Sequence, residues 1–159
     1  MSKKRKLLLL LFMFSIAVSS VSSVTSASGF TRPELTVILY DGYYTCLDGD
    51  TLENDIVASA WIYIDSPYVY NTMDLYIWLT TPDGLEYSYA LNIVTYSTYG
   101  DCYFFIDLIF YNHALDPGNY RVETLGDLYG DRFYVYNSII FDPPGGKPGA
   151  LPDFGWLVY

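Results

Sequence analysis

The sequence predicts an all-β protein: an antiparallel sandwich of seven to eight strands. Past residue 27, short runs of alternating apolar and polar residues recur between turn signals at regular spacing, the pattern of a sandwich or barrel. No stretch keeps an apolar period of 3.6 residues over three turns, so no helix is expected. Aromatic residues make up 19% of the chain and charged residues only 16%, which suits pleated, half-buried surfaces.

The elements follow in order. MSKKRK supplies Lys3, Lys4, Arg5 and Lys6, and an apolar run from Leu7 to Val18 comes next. That run has the length of a secretory h-region and is short for a membrane span, which needs about 20 residues. SSVSSVTSAS offers small residues for cleavage, with the cut expected after Ala27. Residues 1–27 are therefore read as a signal peptide, and the product as secreted or held at the cell surface. Contact with a membrane would come only through this segment if it stays uncleaved.

Residues 28–142 form the predicted sandwich domain. Its strands are Glu34–Tyr40, Asp55–Asp65, Thr72–Thr80, Leu85–Thr95, Cys102–Tyr111, Asn119–Leu125 and Arg132–Phe141. Each carries an apolar face at spacing two. In the third it is Met73, Leu75, Ile77 and Leu79; in the fifth it is Phe104, Ile106, Leu108 and Phe110. Pro82-Asp83-Gly84 closes a hairpin between the third and fourth strands, since Pro fixes φ and Gly accepts φ > 0. Ala58 and Ala60 on the second strand let the sheets approach closely. Residues 143–159 read as a Pro/Gly hinge leading to an apolar tail that carries Phe154, Trp156, Leu157, Val158 and Tyr159.

Two segments carry a family likeness. LDPGNYRVET, Leu115 to Thr124, resembles the L-x-PG-x-Y-x-V run that opens the sixth strand of secreted immunoglobulin-like and fibronectin-type domains. LTTPDG, Leu79 to Gly84, resembles a turn of the same families. The resemblance implies an immunoglobulin-like sandwich in which Tyr120 forms the tyrosine corner, its hydroxyl bonding upstream backbone. It bears on fold rather than activity.

Charge narrows the partners. With residues 1–27 removed, 4 basic residues face 18 acidic ones, a net charge of −14. Such a chain repels nucleic acid and anionic membranes. No constellation for catalysis accompanies it. His113 is the one histidine, expected as a solvated turn residue, and no nucleophile motif surrounds it. The chain is therefore read as non-enzymatic.

No cofactor is expected beyond a structural Ca²⁺. The loop DGDTLEND gathers Asp48, Asp50, Glu53 and Asp55, with Asn54 among them, hard oxygen ligands in a flexible segment, without EF-hand spacing. Asp101, Asp127 and Asp131 form a weaker cluster at the opposite end. The possible disulfide Cys46–Cys102 is left open: export favours pairing, whereas strand alternation puts the two at opposite ends of the domain.

Pointing the assigned faces inward turns other side chains out. Tyr76, Trp78, Tyr134 and Tyr136 would flank Arg121 and Glu123 on one sheet. Trp61, Tyr63, Tyr103, Phe105, Ile109 and Tyr111 would stand on the other. An aromatic patch of several hundred Å² is usually buried by a partner. The expected function is assembly or adhesion, with itself or another surface protein, through these faces and the tail. The alternative is a small carbohydrate-binding module stacking a glycan on Trp and Tyr. For the tail, three fates are open: an extra strand on its own domain, a donor strand to a neighbour, or an anchor on a larger partner.

Overall fold

A computed structural model of the chain describes residues 15–17, 34–98, 101–129, 133–143, 145–147 and 149–159. Apart from Ser15–Ala17, the segment read as a signal peptide lies outside the described residues. So does Asp131. Every regular element among the described residues is a strand: β1 Ser15–Ala17, β2 Glu34–Thr45, β3 Asp55–Asp65, β4 Tyr70–Thr80, β5 Glu86–Tyr96, β6 Asp101–Tyr111, β7 Tyr120–Leu128, β8 Phe133–Phe141 and β9 Asp153–Val158.

The long strands form two antiparallel four-stranded sheets, ordered β5-β4-β7-β8 and β2-β3-β6-β9. The short β1 adds to the first, parallel to Val94–Tyr96 of β5. The seven strands expected between residues 34 and 141 all form, and β9 is the eighth long strand. Two boundaries shift by three residues or more: the strand expected to end at Leu125 runs on to Leu128, and the first runs past Tyr40. The first long strand was expected to stop at Tyr40, because Asp41-Gly42 reads as a turn. It continues to Thr45 through a bulge between Leu39 and Asp41, which absorbs the interruption by leaving one residue unpaired. Gly42 then lies against the Phe141 ring, where a Cβ would come within 2.7 Å of the ring's Cδ1.

The inner faces follow the period-two pattern. Ile56, Ala58, Ala60, Ile62 and Ile64 of β3 pack towards Met73, Leu75, Ile77 and Leu79 of β4, all fully buried. The small side chains at 58 and 60 leave room for the larger residues opposite. Gly126 does the same for β7: a Cβ there would lie 2.9 Å from Leu35 Cδ2. Burial of each large aliphatic side chain stabilises the fold by about 1.5–3 kcal/mol.

Turn chemistry sets the pairing. Gly84 has φ +86°, and its N–H donates to Thr81 O at 2.9 Å, closing the β4–β5 hairpin in the register Thr80 opposite Glu86. Tyr120 is fully buried. Its hydroxyl donates to Asp116 O at 2.9 Å and accepts from Asp116 N at 3.1 Å, pinning the loop before β7 to the core.

The chain crosses from β8 to β9 over one end of the sandwich. Gly146 N–H donates to Ala114 O at 2.6 Å, and Lys147 O accepts from Asn54 Nδ2 at 3.0 Å. The linker is thus tied to the loops of its own domain, and β9 pairs in register with β6, Phe154 opposite Phe110 and Val158 opposite Ile106. Phe154 also stacks on Tyr89 of β5 at 4.3 Å between ring centres, joining the two sheets along that side.

Candidate functional site

Three surfaces carry the residues of interest. The first is the outer face of the β5-β4-β7-β8 sheet. Alternation puts Tyr76 and Trp78 of β4 and Tyr134 and Tyr136 of β8 on this face, as expected. Tyr76 and Tyr136 share one rung with Leu125 between them, and Tyr134 pairs with Asp127 on the next. Tyr76 and Trp78 lie near-parallel at 6.4 Å and 24°.

Acidic groups frame these rings. Asp74 accepts from Asn92 Nδ2 at 2.9 Å and from the Tyr129 hydroxyl. These donors hold its carboxyl below the usual range, with Asn92 the stronger. The Asp74 charge in turn pushes the Tyr76 phenol up. Glu123 pairs with Arg121 Nε at 3.1 Å and accepts from the Tyr136 hydroxyl.

The second surface is the outer face of the β2-β3-β6-β9 sheet. Here the tail matters. Ile38 pairs with Trp61, Trp61 with Phe105, and Phe105 exchanges backbone hydrogen bonds of 3.0 and 3.1 Å with Tyr159. One rung of large side chains thus spans the sheet. Tyr159 stacks on Phe105 at 6.0 Å and 14°, and Tyr40 meets Phe105 edge-on at 6.3 Å. The pKa of the Tyr159 hydroxyl is pushed up to about 12, first by partial desolvation against the sheet, then by Tyr40 and the Asp107 carboxylate.

Of the five tail residues singled out in the sequence, Leu157 and Tyr159 join this outer face and are well exposed. Phe154 and Val158 turn inward against the core. Trp156 sits in the inward register opposite Leu108, on the edge strand, and stays 40% exposed. The strand pairs within its own chain, which is the first of the three fates.

The third surface is the end where the β2–β3 loop, the β6–β7 loop and the linker meet. Here the expected calcium set is corrected. One ligand atom from each of Cys46, Asp48 and Asp50 lies within 4.8 Å of the others. Asp55 is fully buried and already engaged: Oδ2 accepts from Leu47 N at 2.6 Å and Asp48 N at 3.2 Å, and Oδ1 from Asn112 N at 2.9 Å. It is a clamp on the two loops. Glu53 points to solvent. Asn54, part of the expected loop, and Asn112, both buried, join the group, with Asn54 Nδ2 donating to Asn112 Oδ1 at 2.9 Å and Asn112 Nδ2 to Asp48 Oδ2 at 3.2 Å. The sequence signal for Asn54 was its place inside the acidic loop; Asn112 had none. Asp101 and Asp127, expected as a weaker cluster, join no such group among the described residues.

The disulfide left open by the sequence does not form, and the expectation of a solvated His113 is corrected. Cys46 and Cys102 are free thiols. Cys46 follows the end of β2, which pairs with the start of β3, whereas Cys102 faces Ile64 near the end of β3. The intervening strand is about 30 Å long at ~3.3 Å per residue, against the ~7 Å a bridge tolerates. His113 is buried, with Nδ1 2.7 Å from Tyr111 O and Nε2 3.0 Å from the Tyr89 hydroxyl. The ring therefore donates from Nδ1 and accepts at Nε2.

Burial pushes the His113 pKa down, against a weaker upward pull from the Tyr111 carbonyl. Unfolded histidine binds its proton near pH 6.5, so the folded chain binds fewer protons below that value. Stability due to the neutral ring is full above pH 6.5 and is lost as pH falls from there through the folded pKa. Urea unfolding at pH 7.5 and 5 is expected to show a larger loss for the wild type than for His113→Gln. An equal loss in both would refute this role.

Comparisons with protein-family models, with curated proteins and with solved structures return no match to this chain.

Proposed function

We propose that the chain is an exported, non-enzymatic interaction domain of immunoglobulin-like type, acting in assembly or adhesion at the cell surface or beyond it. The strand order supports that type. The first, second and fifth long strands share a sheet and face the third, sixth and seventh, as in constant-type domains. The fourth long strand sits beside the third, and the tail takes the place next to the fifth. The buried Tyr120 hydroxyl bonded to backbone four residues upstream is consistent with a tyrosine corner. The sole imidazole is sealed inside with both nitrogens engaged, which supports a non-catalytic reading.

The observation that carries the proposal is the rung Ile38–Trp61–Phe105–Tyr159. A row of four large side chains across an open sheet face is the kind of surface a protein partner covers. The tail contributes by widening this face rather than by leaving the domain. A glycan on Tyr76 and Trp78 is the second reading, favoured by their parallel rings beside fixed hydrogen-bonding groups at Asp74, Asn92 and Glu123.

The test is solution mass by light scattering, with Phe105→Lys/Leu157→Lys as the variant. The wild type is expected to run larger than a monomer and the variant as a folded monomer. Two monomers, together with glycan-array binding lost in Trp78→Ala, would overturn self-assembly in favour of the glycan reading.

A further inference from the structure

We propose that the polar end of the sandwich binds one Ca²⁺ ion in a site shared by the β2–β3 loop, the β6–β7 loop and the C-terminal linker. Two buried side-chain oxygens there have no hydrogen-bond donor among the described residues: Asp50 Oδ2 and Asn54 Oδ1. Asn54 is completely buried, and a buried acceptor left alone is costly.

Asp50 Oδ2 and Asn112 Oδ1 face a common point, to which Asn54 presents its amide nitrogen. A Cβ built on Gly149 would collide with Asn112 Oδ1 and lie 2.5 Å from Asp50 Oδ2 and 2.9 Å from the Asn54 amide nitrogen. Glycine at 149 thus lets the linker close over a ring of polar atoms. The Asn54 NH₂ now stands among acceptors, donating to Asn112 Oδ1 and to Lys147 O. A half-turn of that carboxamide exchanges its oxygen and nitrogen and brings the donorless Oδ1 into the ring.

Asp48, Asp50, Asn54 and Asn112 then supply side-chain oxygens and Lys147 its carbonyl, with water completing the six to eight oxygens Ca²⁺ takes. The two carboxylates balance the charge of a divalent ion, and neither has an ion pair with a described Lys or Arg. Mg²⁺ suits the set less well, because it demands near-octahedral geometry and keeps its waters. The Cys46 thiol, 3.8 Å from Asp50 Oδ1, makes Zn²⁺ the competitor to exclude. This site does not depend on how the aromatic faces are used. Its effect is to fasten Lys147 and Gly149 to the β2–β3 loop and so hold the start of β9.

The experiment is titration of the EDTA-stripped protein with CaCl₂ by calorimetry, with Tb³⁺ luminescence as an independent readout. Saturable binding of one ion is expected, with a rise in melting temperature of about 10 °C at a hundredfold excess over Kd. Asp50→Asn and, separately, Asp48→Asn should weaken binding at least about tenfold, with the fold checked by circular dichroism. Glu53→Gln and Cys46→Ser should leave it unchanged. No saturable binding of either ion up to about 10 mM, above the weakest extracellular sites, overturns the proposal. So does unchanged affinity in both Asp variants, or Zn²⁺ outcompeting Ca²⁺ with loss on Cys46→Ser.

Discussion

Replacing Asp55 with Ala is expected to destabilise the domain by about 4 kcal/mol or more, at about 1–3 kcal/mol for each backbone donor left without a partner. The carboxylate is fully buried and pairs with no Lys or Arg among the described residues; three backbone N–H groups, from Leu47, Asp48 and Asn112, satisfy it. Alanine removes all three acceptor contacts and leaves donors in a region closed by the linker. Asn112 has φ +59°, a left-handed conformation that needs local support, and its N–H bond to Asp55 is part of that support. Asp55→Asn is expected to do little better, because its NH₂ would face N–H groups. Urea unfolding at pH 7 measures the cost. A loss under about 1 kcal/mol for the alanine variant, the scale of one ordinary hydrogen bond, would mean that the loops hold without the clamp.

The same residue marks where the sequence was readable and where it was not. Alternation at 56, 58, 60, 62 and 64 identifies the inner face of β3 because a buried sheet face demands a period of two. Equivalent patterns gave the faces of β4 and β6, and with them the outward positions of Tyr76, Trp78 and Phe105. Asp55 was counted as a metal ligand from its neighbours in the loop. Its actual partners include Asn112, 57 positions away, and no local pattern announces a bond between two distant loops. His113 failed for the same reason. It reads as a turn residue, yet Tyr87 and Tyr89 of β5 close over it. The β2 bulge was hidden because Asp41-Gly42 is a turn signal, and only the approach of Phe141 explains why glycine is needed there.

Ending the chain after Pro152 is the sharpest test of how the tail is used, and a loss of about 3–5 kcal/mol is expected. Phe154 accounts for much of it: it stacks on Tyr89 and lies 5.3 Å from Phe110 between ring centres, and truncating a well-packed Phe costs about that much. Val158 and the backbone ladder to Ile106–Tyr111 add to it. For a domain of this size the melting temperature should fall by roughly 10–20 °C. The truncation also bares the edge of β6 between Ile106 and Tyr111, an apolar strand that templates pairing with other chains. The shortened protein should therefore aggregate at concentrations where the full chain does not. A synthetic peptide of residues 153–159, added in trans, should restore part of the lost stability by reoccupying that edge. If the truncated form is as stable and as soluble as the full chain, β9 is not held by its own domain. Its apolar residues would then be free for a neighbour, and the donor-strand fate of the tail would regain its force.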